Sequence, residues 1–349
     1  MNSTNQFQKI LVVGPSWVGD MVMAQSLFRA LKRNNPDVCI DVLAGNWSQC
    51  LLARMPEINQ HVSLPFKHGE LALSKRRALG IKLREAQYEQ AIVLPNSFKS
   101  ALIPWWAKIP QRTGWFGECR FGVINDRRRL DKKKYPLMIE RFVALSLPSK
   151  VPLPNSILFP RFKIQEENLA AALKKYQLNY AKAKVLALCP GAQYGESKRW
   201  PPSYYAELAR IAKKQGWQIW LIGGPGETTL VQQIIKEALV PCVDLTMTTL
   251  AEAIDLFSVA SCVVSNDSGL MHLAAAVDRP LVAIYGSSTP NFTPPLQKKS
   301  VVLQKPLDCQ PCFKRACPLQ HHRCMTAINP LEVWAAVEGA IEVVEVAHA

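Results

Sequence analysis

The chain has 349 residues, 48% hydrophobic and 20% charged, with a formal net charge of +15. This is more than one ordinary core needs and suits two fully folded domains; nothing in MNSTNQFQK resembles a secretory signal and no apolar stretch is long enough to span a membrane, which points to a cytoplasmic protein. Residues 1–165 hold 25 Lys and Arg against 11 Asp and Glu, so +14 of the charge lies there and +1 in the remainder, an asymmetry that suits a polyanionic partner for the first half.

In chain order, the first half alternates candidate strands at Ile10–Val13, Val38–Leu43, His61–Leu64 and Ala91–Leu94 with helical patterns such as Met21–Arg33 and Leu71–Ala86. Such alternation implies a mainly parallel sheet covered on both faces. The first turn, GPSWVGD, lacks the third glycine of a dinucleotide fingerprint and the Lys-Ser/Thr of a P-loop, and it ends on an acid, Asp20. Asp20 reads either as a helix N-cap or as an acid with chemistry to perform. Further on, DRRRLDKKK (Asp126–Lys134) is the densest charge run and reads equally as a solvated loop or as part of an anion-binding surface. Four prolines between Pro148 and Pro160 mark an interdomain linker.

The second half resumes the alternation. Strands are expected at Val185–Cys189, Trp217–Ile222, Cys262–Ser265 and Leu281–Tyr285, and helices at Tyr204–Lys214, Thr228–Leu239, Leu250–Ala260 and Leu270–Val277, with a last helix at Leu331–Val346. Three strand-to-helix turns carry polar residues suited to a nucleoside diphosphate. Lys198 and Arg199 precede a Pro-initiated helix, where free N–H groups and the dipole favour an anion. Asp267-Ser268-Gly269 turns directly into the helix bearing His272; Asp267 suits sugar hydroxyls or a plain cap. Glu227, in GGPGE, suits a ribose diol. Doubly wound domains bind ligands at the carboxyl ends of their strands, so two such domains would share one cleft.

The segments GPSWVGDMVMAQSL, LPNSFKSALIPWWA, RTGWFGECRFGVIND, PGAQYGESKRWP and NDSGLMHLAAA resemble the bacterial lipopolysaccharide heptosyltransferases of glycosyltransferase family 9, over about Lys9 to Pro295. The resemblance implies an α/β GT-B fold, two Rossmann-like doubly wound domains facing a central cleft. It implies an acceptor domain at 1–160, an ADP-heptose domain at 161–328, and a C-terminal helix at 329–349 packing back toward the first. It further implies inverting transfer of L-glycero-D-manno-heptose from ADP-heptose to the heptosyl-Kdo2-lipid A inner core, with no cofactor required, by a protein peripherally associated with the cytoplasmic face of the inner membrane. Heptosyltransferases I and III, which differ in acceptor, and a nucleotide-sugar epimerase on the same fold are the alternatives. A nucleic-acid-binding protein would fit the basic half, but the expected modules and stacking aromatics are absent, so no nucleic-acid partner is expected.

Carried over residue by residue, the resemblance makes Asp20 the catalytic base and Lys198 the phosphate-contacting lysine. It makes Asp267, Ser268, Gly269, Leu270 and His272 the donor turn, Glu227 the ribose acid, and 247–250 the adenine region. Lys99, Arg112 and Arg120 become acceptor-binding cations. Outside it stands CQPCFKRACPLQHHRC, whose Cys309, Cys312, Cys317 and Cys324 have gaps of two, four and six. Four such thiols either wrap a structural zinc, remote from the chemistry, or stay free.

Overall fold

The computed structural model describes residues 7–66 and 69–348. The chain divides into two units, Met1–Pro160 and Arg161–Ala349. In the first, the short apolar runs form β1 (Lys9–Val13), β2 (Cys39–Ala44), β3 (Gln60–Ser63) and β4 (Gln90–Val93), followed by β5 (Gln111–Trp115) and β6 (Asp126–Arg128). The helices are α1 (Val18–Asn34), α2 (Gln49–Leu52), α3 (Leu73–Lys82), α4 (Phe98–Trp106) and α5 (Met138–Ser146). Helix α1 opens on an acid and closes on Lys32 and Arg33, which complements its dipole at both ends.

The second unit repeats the plan. Its strands are β7 (Val185–Cys189), β8 (Gln218–Ile222), β9 (Val243–Leu245), β10 (Cys262–Asn266), β11 (Leu281–Tyr285) and β12 (Ser300–Gln304). Its helices are α6 (Glu166–Lys175), α7 (Pro202–Lys214), α8 (Thr228–Ala238), α9 (Leu250–Phe257), α10 (Gly269–Ala276), α11 (Arg323–Thr326) and α12 (Pro330–His348). Helix α9 starts with a capping box, Thr249 and Glu252 each satisfying the other's backbone N–H.

Both sheets are parallel, ordered β3-β2-β1-β4-β5-β6 and β9-β8-β7-β10-β11-β12. This is the doubly wound order in which the chain reverses direction once, between β1 and β4 and again between β7 and β10. At each reversal the two flanking connections leave on opposite faces and open a crevice beyond the strand ends. The turns after β1, β4, β7 and β10 are therefore the places where each unit can hold a ligand.

One expectation changes here. The charge run is not all loop, because Asp126–Arg128 pairs with β5 as an edge strand and Arg128 turns inward to Asp126 (2.7 Å) and the carbonyls of Ala144 and Leu147. The apolar residues Val333, Trp334, Val337 and Ile341 of the last helix join the second unit's core, with Trp334 edge-on to Trp217 at 5.5 Å.

Candidate active site

In the first unit, the turn after β1 carries Asp20 as the third residue of α1; the preceding Trp17 occupies the N-cap position. Asp20 is thus not a cap, since the helix begins two residues before it. It is half-buried and lines a cavity of about 1100 Å³, together with Trp17, Asn96, Lys99, Arg76 and Arg141. Lys99, in the first turn of α4, comes from the connection after β4, so Asp20 and Lys99 arrive from the two sides of the reversal. Glu118 holds this rim in place by accepting a hydrogen bond from the Phe98 N–H at 2.5 Å.

Arg112 and Arg120 are not placed as expected. Arg112 donates from Nε to the Val123 carbonyl (2.7 Å) and from its terminal nitrogens to Ile109 (2.5 Å) and Gly122 (3.4 Å). Arg120 is 2% exposed and donates to the carbonyls of Pro95 (2.8 Å) and Trp115 and to Asn96 Oδ1 (3.4 Å). Neither lines the cavity, and burial lowers the pKa of both. Through these carbonyls they brace the β5–β6 connection, since burying a guanidinium costs less where oxygens meet its donors; of these donors, Arg120 Nε alone is left without a partner among the described residues. Arg76 and Arg141 also border the cavity, but they too are held by backbone: Arg76, 4% exposed, donates to the carbonyls of Leu71, Glu70 and Lys99, and Arg141 to those of Tyr135 and Pro136.

In the second unit, the turns after β7 and β10 meet. Lys198 Nζ lies 2.5 Å from Asp267 Oδ2, and the Ser288 hydroxyl donates to the same oxygen at 2.5 Å. Ser268 is the N-cap of α10 and Gly269 its first residue, so the free N–H groups of that helix open beside the pair. Asn266, fully buried, ties the two turns together. Its amide donates to the Pro190 carbonyl (2.7 Å), and its oxygen accepts from Trp200 N–H and Tyr205 O–H (both 3.1 Å).

His272 lies behind this turn, 4% exposed, with Nδ1 lacking a partner. Burial pushes its pKa down to about 4, with Asp267 opposing and Lys198 reinforcing. It is therefore neutral at ordinary pH. Glu227 closes a short turn ahead of α8 and accepts from the Gly224 N–H at 2.9 Å. A Cβ on Gly191 would lie 1.5 Å from Glu227 Oε1, so glycine there makes room for the carboxylate. The region expected for adenine, 247–250, presents Met247 67% exposed beside the Thr249 cap.

The cysteine segment is not remote from these turns. Ser197 N–H donates to the Arg315 carbonyl at 3.1 Å, and Tyr194 O–H to the Phe313 carbonyl at 2.7 Å, so the segment lies against the Lys198 turn. The Cys317 thiol is lowered by N–H groups of His322, Leu319, His321 and Gln320. Cys324 is raised by burial and by its three neighbours Cys317, Cys309 and Cys312. Among the described residues, no group of three or more His, Cys, Asp or Glu side chains is arranged to hold a metal ion.

Chemically, one unit presents a carboxylate in a cationic cavity, and the other a cation and helix N–H groups around a carboxylate. Comparison with known proteins gives the family. The family model of glycosyltransferase family 9 (heptosyltransferase) matches residues 76–323. The lipopolysaccharide heptosyltransferase 2 of Salmonella typhimurium is 44% identical over 335 residues, 93% of this chain and 96% of that protein. The lipooligosaccharide heptosyltransferase 2 of Haemophilus influenzae is 45% identical over 307 residues, 84% of this chain and 88% of that protein. The solved structure of the ADP-heptose LPS heptosyltransferase II of E. coli superposes with a TM-score of 0.87 at 40% identity, covering 97% of this chain and 99% of that one. The chain belongs to glycosyltransferase family 9, the heptosyltransferases.

Proposed function

We propose that this enzyme transfers heptose from ADP-heptose to the heptose already present on the lipid A-Kdo inner core, with inversion and without a metal. The observation that carries the reading is the placement of Asp20 at the reversal of one sheet and of Lys198 and Asp267 at the reversal of the other. Asp20 takes the proton of the acceptor hydroxyl as its oxygen bonds to the anomeric carbon, while the bond from that carbon to the β-phosphate oxygen breaks and ADP leaves with the electron pair. General-base help of this kind contributes roughly 10²- to 10⁴-fold. Lys198 and the N–H groups opening α10 receive the charge that develops on ADP. Asp267 accepts from sugar hydroxyls, Glu227 from the ribose diol, and Lys99 meets the anionic core.

Asp20 sits in the first turn of a helix, which favours its ionised form, a state ready to accept a proton but a weaker base. The enzyme would act at the cytoplasmic face of the inner membrane, drawn there by its basic first unit. Among the described residues no helix is long and apolar enough to cross a membrane.

The test is single-turnover transfer by Asp20→Asn with ADP-heptose and a defined heptosyl core both saturating, read by mass spectrometry of the lipid. The variant should fold, bind donor normally and lose roughly 10²-fold or more in rate. A rate within a few-fold of the native enzyme removes Asp20 from catalysis. Transfer to a core lacking heptose in preference to the heptosylated core would change the acceptor.

A further inference from the structure

The segment Cys309–Cys324 is seated on the donor turn by contacts that leave it little freedom. Besides the bonds from Ser197 N–H and Tyr194 O–H, the Ser197 hydroxyl donates to the Lys314 carbonyl and lies 2.9 Å from Ser287 Oγ. On the other side, Phe313 N–H donates to the Ser287 carbonyl at 2.8 Å, and the Gln310 amide to the Gly286 carbonyl at 2.6 Å. Gly195 allows the approach, because a Cβ there would fall 2.3 Å from the Arg315 carbonyl oxygen.

The side chain delivered by this seating is Arg315. Its guanidinium lies 5.6 Å from the centre of the Tyr194 ring, and Lys198 Nζ lies 5.2 Å from the same ring. Arg315 is exposed, and among the described residues it makes this ring contact and no ion pair. Lys198 differs, because Asp267 already offsets its charge at 2.5 Å. A diphosphate carries more negative charge than one partly neutralised ammonium can balance, and a planar guanidinium matches paired phosphate oxygens. We infer that Arg315, carried by the cysteine segment and steadied by Tyr194, is a second cation that binds the diphosphate of the donor nucleotide. The segment is then a clasp on the donor site.

This inference rests on the donor site proposed above, and calorimetric titration with ADP, AMP and adenosine separates the two. If Arg315 grips the diphosphate, Arg315→Ala should weaken ADP binding about tenfold, the scale of one charge-assisted hydrogen bond. AMP should lose less and adenosine nothing, and Arg315→Lys should regain part of the ADP affinity. Native-like ADP affinity in Arg315→Ala overturns the inference while leaving the donor site intact. An equal loss for ADP and adenosine also overturns it, because the variant has then disturbed the turn and not a phosphate contact. Native enzyme that binds none of the three would sink the donor site itself, and the inference with it.

Discussion

A buried guanidinium whose terminal nitrogens are taken up by neighbouring oxygens is poorly placed to meet a phosphate, and Arg120 is in that position. Its removal strands the oxygens of Pro95, Trp115 and Asn96 in a buried place. Arg120→Ala should therefore cost about 3 kcal/mol of stability, measured by urea unfolding. The KM for acceptor in the folded protein should stay unchanged; a selective rise in KM without loss of stability would restore Arg120 to the acceptor site. His272 makes a second residue-scale case. Its pKa is about 4 in the fold, with burial the leading cause, against roughly 6.5 for an unperturbed histidine. Between those values the unfolded chain binds the additional proton, so stability rises with pH through the window and falls as pH drops from 6.5 toward 4. His272→Gln should flatten this acid slope, by up to about 3 kcal/mol across the full window. Unfolding curves at pH 5 and 7 with unchanged pH dependence would show that the imidazole does not resist protonation.

At the scale of elements, the donor site is a set of turns held by each other. Asn266 links the connections after β7 and β10, and Ser288 adds the connection after β11 through Asp267. The cysteine segment adds a fourth piece, with Gly195 at its contact. The Gly195 backbone is extended, at φ 167°, so alanine is strained there only by what its Cβ would meet. That neighbour is backbone, which cannot rotate aside, so Gly195→Ala must move the segment. The expected result is a loss of about 1–3 kcal/mol, typical of overpacking, and weaker ADP binding. A melting temperature and ADP affinity equal to the native values would mean that the segment yields freely and is no clasp.

For the whole molecule, the two units differ in charge more than in architecture. Residues 1–165 carry +14 and the remainder +1, although both sheets have the same strand order. Exposed charges more than a Debye length apart are screened by salt, whereas paired or partly buried ones are screened less. Binding of a phosphorylated core to the first unit should therefore weaken steeply between low and physiological salt. ADP binding, which involves the largely buried Asp267 and the half-buried Lys198, should weaken less. Surface plasmon resonance with immobilised core oligosaccharide, beside ADP titration at matched salt, reads both slopes. Equal slopes would contradict the division of labour between the units.

Local patterns were legible in the chain because their causes are local. Strands β7 and β11 match their apolar runs residue for residue, and helix α8 ends one residue before the boundary read from periodicity. Other elements were hidden by their own composition. Pro104 lies inside α4, three of the five residues of β5 are polar Gln, Arg and Thr, and β6 reads DRR, so none shows a hydrophobic period. The motifs around Asp20, Lys198, Glu227 and Asp267 were also visible, since turns that leave N–H groups free use a small vocabulary of residues. The sequence by itself thus determined two α/β units, their charge split and the polar turns at the strand ends. Strand order was decided only in three dimensions, because the pairing of β1 with β4 and of β7 with β10 joins segments far apart in the chain. So were the fates of Arg112 and Arg120, the commitment of α12 to the second core, and the seating of the cysteine segment beside Lys198. Each depends on which carbonyl or apolar surface arrives next to a side chain, and spacing along the chain carries no record of that.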